Sequence, residues 1–263
     1  MNSLQNRFKR VVNKFVGPVF HLFGFDPRHL TLMSKIPRYI KDRIRFKHYG
    51  GIIGASFPVL SDFVSNAGTA SGQYFHQDLL VANFIYNAAP VRHIDVGSRI
   101  DGFVAHVASF RSIKVLDVRP LPKSPHRNID FQQFDIVNGE IGFIEKSDSI
   151  SCLHALEHFG LGRYGDPINP NGHLIGFKNL AEMLEKNGIL YLSVPIGHEN
   201  KVFFNAHRVF HPLEALKWMK SADLELLRFD FVDDDGLLVT NVDLLNSPPY
   251  VFFGCGIYTF IKY

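Results

Sequence analysis

The sequence predicts an α/β protein: a domain over residues 71–263 built on a seven-stranded, mostly parallel sheet that ends in an antiparallel strand pair, behind a basic helical extension and linker over 1–70. Three observations carry that expectation. From Arg92 onward short apolar runs alternate with helical patterns, which argues for parallel strands joined by right-handed crossovers. The last two runs, 224–232 and 252–261, are joined by a loop with no helical pattern, so they should pair antiparallel. Charge is segregated: the first 50 residues hold 11 Lys and Arg against two Asp, and the remainder 17 against 23.

In the extension, Leu4, Phe8, Val11, Val12, Phe15, Val16 and Val19 recur at three- and four-residue spacing with Arg7, Lys9, Arg10 and Lys14 between them. That is a basic amphipathic helix, ended by Gly17-Pro18. Pro37–Lys47 is a second basic stretch, with Pro at a first helical position. Such a face either packs on its own domain or makes a peripheral contact with an anionic membrane surface or a protein partner. Nucleic acid is not expected, because the aromatics lie on the apolar face rather than among the charges. No apolar run reaches the ~20 residues that span a bilayer, and no secretory signal pattern is present. Cys152 and Cys255 sit inside apolar runs and read as buried thiols. The expectation is a cytoplasmic protein, at most peripheral at the inner face of the membrane.

Residues 50–72 read as irregular. Gln73–Asn87 reads as a helix burying Phe75, Leu79, Leu80, Ala82 and Ile85. The remaining expected strands are 92–96, 113–117, 129–134, 148–153 and 189–194, with helices near 100–110, 173–186 and 212–221. Trp218 and the C-terminal aromatics read as core.

An open parallel sheet binds ligands beyond the carboxyl ends of its strands. There lies Asp95, Gly97, Ser98, Arg99, Asp101 and Gly102, a glycine-containing turn after the first strand. Asp117 follows at the end of the second strand, placed to accept hydrogen bonds from a ribose. Asp135 closes the third. The fourth runs into SCLHALEHFGLGRYGDPINPNG. Its His154, Glu157 and His158 formally fit the zinc-protease pattern H-x-x-E-H. That pattern needs a continuous helix and a third ligand; here a strand precedes it, glycines follow and no third ligand is evident, so no metal site is assigned and a zinc enzyme stays as the lesser alternative.

The turn resembles the cofactor loop of class I S-adenosylmethionine-dependent methyltransferases, an acid followed by alternating glycines, with Arg99 and Asp101 where glycines are usual. The departure disfavours a dinucleotide pyrophosphate. It suits S-adenosylmethionine, whose carboxylate and ammonium can pair with Arg99 and Asp101; alternatively the two pair with each other. More broadly, the runs YFHQDLLVA, HIDVGSRIDGFVAH, LHALEHFGLGRYGDPINPNG, YLSVPIG and FNAHRVFHP resemble the domain-of-unknown-function family 268 of nematodes and bacteria, over roughly residues 70–215. The resemblance implies a Rossmann-like methyltransferase fold without an established reaction. It also implies a small-molecule or sugar-linked acceptor, in a setting of surface-polysaccharide biosynthesis.

On that expectation His154, Glu157, His158 and His207 form the catalytic group, since imidazole with a pKa near ~6.5 suits a base for a hydroxyl or amine acceptor. Arg163, Tyr164, His198 and Arg208 would hold the acceptor, a small molecule or glycan. The rival class is a non-catalytic member of the fold that binds cofactor or glycan.

Overall fold

The computed structural model describes residues 32–122 and 126–263. The expected helix over 4–19 lies outside them. The chain divides into two compact units, 1–69 and 70–263. In the first, helix α1 (Ile36–His48) starts with Pro at its first turn and gathers Arg45, Lys47 and His48 in its last, where cations suit the dipole. The Arg43 Nε donates to Ser56 Oγ at 2.9 Å, and the Arg38 guanidinium lies over the Phe63 ring. Apart from one 3₁₀ turn at Ser61–Val64, the segment after α1 is irregular.

The second unit opens with α2 (Gln73–Ala88) and then carries an eight-stranded sheet in the order β3-β2-β1-β4-β5-β10-β8-β9. The strands are β1 (Ile94–Val96), β2 (Ile113–Asp117), β3 (Ile129–Gln133), β4 (Ser147–Leu153), β5 (Leu184–Ile196), β8 (Leu224–Val232), β9 (Leu238–Val239) and β10 (Gly254–Lys262). Strands β1 to β5 pair in parallel. The reversed β10 is inserted between β5 and β8 and is antiparallel to both, so β8 runs with β5. Chain order reverses between β1 and β4, and their carboxyl ends flank the crevice in which an open sheet binds its ligand. Helices α3 (Ala105–Ala108), α4 (Gly172–Glu182) and α5 (Glu214–Met219) complete the layers.

Both faces of the sheet are covered, as a parallel sheet requires. On one face Ile94, Ile150 and Leu190 pack with Phe177, Trp218 and Phe260; on the other Val115, Ile113 and Ile257 pack with Val81, Ile85 and Val107. Cys152 and Cys255 are free thiols at the centre of these clusters.

The structure departs from the sequence expectation in definable ways. The two-residue β9 adds an eighth strand, too short for any periodicity to reveal. A hairpin of β6 (Lys201–Phe203) and β7 (His207–Val209) lies within the loop after β5. Strand β5 begins at Leu184 rather than 189, across a register shift where Asn187 takes a left-handed conformation. The helix near 100–110 is a wide turn over Ile100–Val104, kinked at Gly102, before the short α3. Helix α2 buries Gln77, Asp78, Val81, Ala82 and Ile85, while Phe75 and Leu79 face outward. Trp218, Tyr258 and Phe260 are core, but Tyr250, Phe252 and Phe253 are exposed. None of the described helices is long and apolar enough to cross a membrane.

Candidate functional site

A cavity of about 360 Å³ opens over the carboxyl ends of β1, β2 and β4, with the start of α2 as one wall and the 154–166 loop as another. Its floor is the turn after β1. Gly97 has φ +78°, and a Cβ there would lie 2.8 Å from the Ala155 Cβ, so both conformation and space demand glycine.

That turn is held from below by a buried polar chain. Asp95, wholly buried, accepts hydrogen bonds from the Ser98 N–H (3.0 Å), the Ser98 hydroxyl (2.7 Å) and the Ser151 hydroxyl (2.6 Å). The His93 ring lies 3.1 Å from Ser151 Oγ and 2.8 Å from Ser149 Oγ. Because Ser151 gives its proton to Asp95, its oxygen accepts from His93 Nε2, and His93 Nδ1 accepts from Ser149. Burial drives His93 down to about 3 and so keeps it neutral, and it lifts Asp95 to about 6 against the serine hydrogen bonds. Asp95 therefore fixes the shape of the turn from beneath; it does not line the cavity, which corrects its expected place as a direct cofactor ligand.

Asp117 does line the cavity, at the end of β2. Arg119, whose role the sequence did not reveal, donates from Nε to one carboxylate oxygen (2.9 Å) and from Nη2 to the other. The same Nη2 reaches the Gly97 carbonyl at 3.3 Å, and the guanidinium lies 4.8 Å from the Tyr164 ring centroid. Asp135 also lines the cavity, with its carboxylate accepting from the backbone of Val137 and Asn138 and from the Asn138 side chain. Arg99 is at the edge, paired through two hydrogen bonds with Asp101. Asp101 and Gly102 lie outside the cavity, and so the alternative in which Arg99 and Asp101 pair on the turn is the observed one.

On the same cavity, the HALEH segment forms a 3₁₀ turn (Leu156–His158) rather than a continuous helix, and among the described residues no group of three His, Cys, Asp or Glu is arranged to hold a metal. Glu157 is buried between two imidazoles: its Oε1 is 3.1 Å from His154 Nδ1 and 3.6 Å from His158 Nε2. Burial opposes charging of His154, but the Cys255 sulfur and the Glu157 carboxylate favour it, and the balance holds His154 well above its ordinary value. His154 Nε2 and Glu157 Oε2 are buried with no hydrogen-bond partner, and both residues line the cavity. An unpaired buried polar atom is costly, so atoms of this kind mark a place for a ligand.

His158 differs from His154. Its Nδ1–H donates to the Ala206 carbonyl at 2.7 Å, which makes Nε2 the acceptor nitrogen, with Arg163 Nη1 3.5 Å from it. Burial lowers its pKa, and the nearby Arg163 lowers it further against the pull of Glu157. His207, on the same rim, is lowered by burial as well. Arg163 and Tyr164 also line the cavity, on a loop organised by Asp166, whose carboxylate accepts from the backbone of Gly160, Gly162 and Tyr164. Arg163 donates to the Ala206 carbonyl at 2.8 Å.

Two residues expected to hold the acceptor sit elsewhere. The buried Arg208 donates to the carbonyls of Glu157, Phe159 and Pro170, strapping the loop from behind. His198 stacks on Tyr250 outside the cavity. Conversely, Tyr74, Gln77 and Asp78 of α2 line the cavity unforeseen. The polar pair Gln77-Asp78 on a buried helical stripe was the available signal.

Residues 122–224 match the model of a family described as Caenorhabditis protein of unknown function, DUF268. A comparison with curated protein sequences finds no match. Among solved structures, the chain is similar to the 1,6-didemethyltoxoflavin-N1-methyltransferase of Burkholderia thailandensis with bound 1,6-didemethyltoxoflavin and S-adenosylhomocysteine, at 13% identity over 81% of this chain and 94% of that one, with a TM-score of 0.51. It is also similar to the (4+2)-cyclase SpnF, at 14% identity over 75% and 85% of the two chains, with a TM-score of 0.50. The chain thus has the fold of class I S-adenosylmethionine-dependent methyltransferases.

Proposed function

We propose that this chain binds S-adenosylmethionine and transfers its methyl group to a hydroxyl or amine of a small, or sugar-linked, acceptor. The observation that supports the reading is the convergence on one cavity of the Gly97 turn and Asp117 with the segment that holds Glu157 between His154 and His158. The residues fit the cofactor, since the turn lets a ligand approach the backbone and the Asp117 carboxylate lines the cavity beside it. When bound, S-adenosylmethionine supplies a methyl group already activated by its sulfonium.

The protein's own residues have three tasks. Asp117 accepts hydrogen bonds from ribose hydroxyls, which requires Arg119 to turn away. His158 Nε2 takes the acceptor's proton once Arg163 turns from it to the acceptor, because Nδ1 carries the ring's own proton and the pKa is lowered. Glu157 then steadies the imidazolium formed beside it. His154, pushed up in pKa, orients Glu157 and is not the base. Arg163 and the Tyr164 ring hold the acceptor at the rim by charge and by face contact.

A second reading, a cofactor-binding protein that transfers no methyl group, is favoured by Arg119, which caps the expected ribose ligand, and by the likeness to a protein named as a cyclase. A thermal-shift comparison tests the cofactor that both readings share. Adenosylmethionine and adenosylhomocysteine should raise the melting temperature of the native protein and NAD should not. A rise with NAD alone contradicts both.

A further inference from the structure

The long loops after β5 and β8 display a set of large apolar side chains beside the cavity mouth. Phe204 is 73% exposed, Tyr250 75% and Phe252 69%, with Val202, Phe203 and Phe253 also open to solvent. Solitary exposed apolar residues are ordinary, but a contiguous exposed patch marks a binding surface.

This patch is held rigidly. The Asp234 carboxylate accepts from the backbone N–H of Phe252 (3.0 Å) and of Phe253 (2.7 Å), and Gln73 Nε2 donates to the Phe253 carbonyl (3.1 Å). The β6–β7 hairpin is anchored at its Ala206 carbonyl, which accepts from both His158 and Arg163 of the cavity wall. Hydrogen bonds thus hold the backbone segments that present these exposed rings.

The patch is also continuous with the cavity. Phe253 and His207 both line it. The His207 ring is 5.5 Å from Phe253 on one side and 5.3 Å from Phe203 of the hairpin on the other. The ring of His198, 5.8 Å from Tyr250 and 5.7 Å from Phe252, extends the surface outward and accounts for a residue that the cavity leaves out. A ligand reaching from His158 to this surface passes from polar groups to aromatic faces.

We propose that the patch is the acceptor's second subsite: the acceptor is amphiphilic, with the methylated polar end in the cavity and an apolar chain lying along Phe253, Phe203, Phe204 and Phe252. The proposal rests on the methyltransferase reading for the chemistry and on the patch alone for the apolar chain. A second copy of the chain is the competing occupant.

The test uses the full chain and dodecyl maltoside below its critical micelle concentration, with maltose as headgroup control. Saturation-transfer NMR reads protein contact with the alkyl protons, and calorimetry reads adenosylhomocysteine binding in the same samples. The expected result is alkyl contact in the native protein, no maltose binding, and about tenfold weaker alkyl binding in Phe203→Ser/Phe204→Ser and in Phe252→Ser. Because these side chains are exposed, the variants should fold and keep their affinity for adenosylhomocysteine. Alkyl contact unchanged in the variants, or absent from the native protein, overturns the proposal. So does a concentration-dependent dimer in light scattering that the substitutions dissolve, in a native protein without alkyl contact. Alkyl binding that depends on the phenylalanines, without adenosylhomocysteine binding, leaves the subsite standing and removes the methyltransferase reading.

Discussion

Two histidines beside one carboxylate receive different tasks from their surroundings. His154 and His158 both approach Glu157, yet one is pushed up in pKa and the other down. His158→Asn should leave adenosylhomocysteine affinity unchanged and lower turnover by about 10²- to 10⁴-fold, the usual worth of a general base. On the proposed methyl-transfer reading, turnover by the native protein should rise with pH through a midpoint below 6.5, since burial lowers the His158 pKa from that value and only its deprotonated form accepts a proton. A midpoint above 6.5 in a pH–rate profile contradicts this assignment. Arg119 makes an opposing prediction on the other wall. On the proposed cofactor reading it competes with the ribose for Asp117, so Arg119→Ala should strengthen adenosylhomocysteine binding, by up to about tenfold for a pair whose guanidinium is partly exposed. A purely supporting role for Arg119 predicts weaker binding, and calorimetry separates the two. Asp117 was legible in the sequence as an acid closing an apolar strand. Arg119 was not, because its importance lies in turning back on its neighbour, which spacing does not encode.

At the scale of elements, the turn after β1 converts strand geometry into a binding surface. Gly97→Ala must place a side chain at φ +78° and against Ala155, costing about 1–2 kcal/mol in conformation alone. The expected outcome is a lower melting temperature with adenosylhomocysteine binding weakened at least as much as stability, measured by calorimetry on the folded variant. Asp95→Asn should act less directly, loosening Ser98 and weakening binding without removing a ligand. The strands that build the site were legible because each centres on apolar residues bounded by polar or glycine residues, as in IDV and IKVLD. Others were hidden for physical reasons. Strand β9 spans two residues, and the β6–β7 hairpin exposes Val202 and Phe203, so no buried stripe announces it. Helix α2 misled because its apolar residues Phe75 and Leu79 face outward, while Gln77 and Asp78 turn in to the cavity.

At the scale of the molecule, the fold commits buried titratable groups to single protonation states. Below pH 6.5 the unfolded chain takes up a proton at His93 that the folded chain refuses down to about 3, and His173 behaves alike down to about 4. Stability from these two groups is therefore lost as pH falls across that window. Asp95, raised to about 6, opposes the trend, because the folded chain protonates it first. His93→Gln should shrink the loss of urea midpoint between pH 7 and pH 5, and an unchanged loss contradicts the neutral buried His93. The parallel pairing that builds the crevice was legible from the strand–helix alternation; the strand order, with β10 inserted between β5 and β8, was not, since neighbours across a sheet leave no mark on chain order. The central claim, that this crevice holds an adenosyl cofactor on Asp117, is tested most directly by calorimetric titration of adenosylhomocysteine into the native chain and into Asp117→Ala. Saturable one-to-one binding, weakened about tenfold or more in the variant, is the predicted result. No binding to the native chain, or equal affinity in the two proteins, contradicts it.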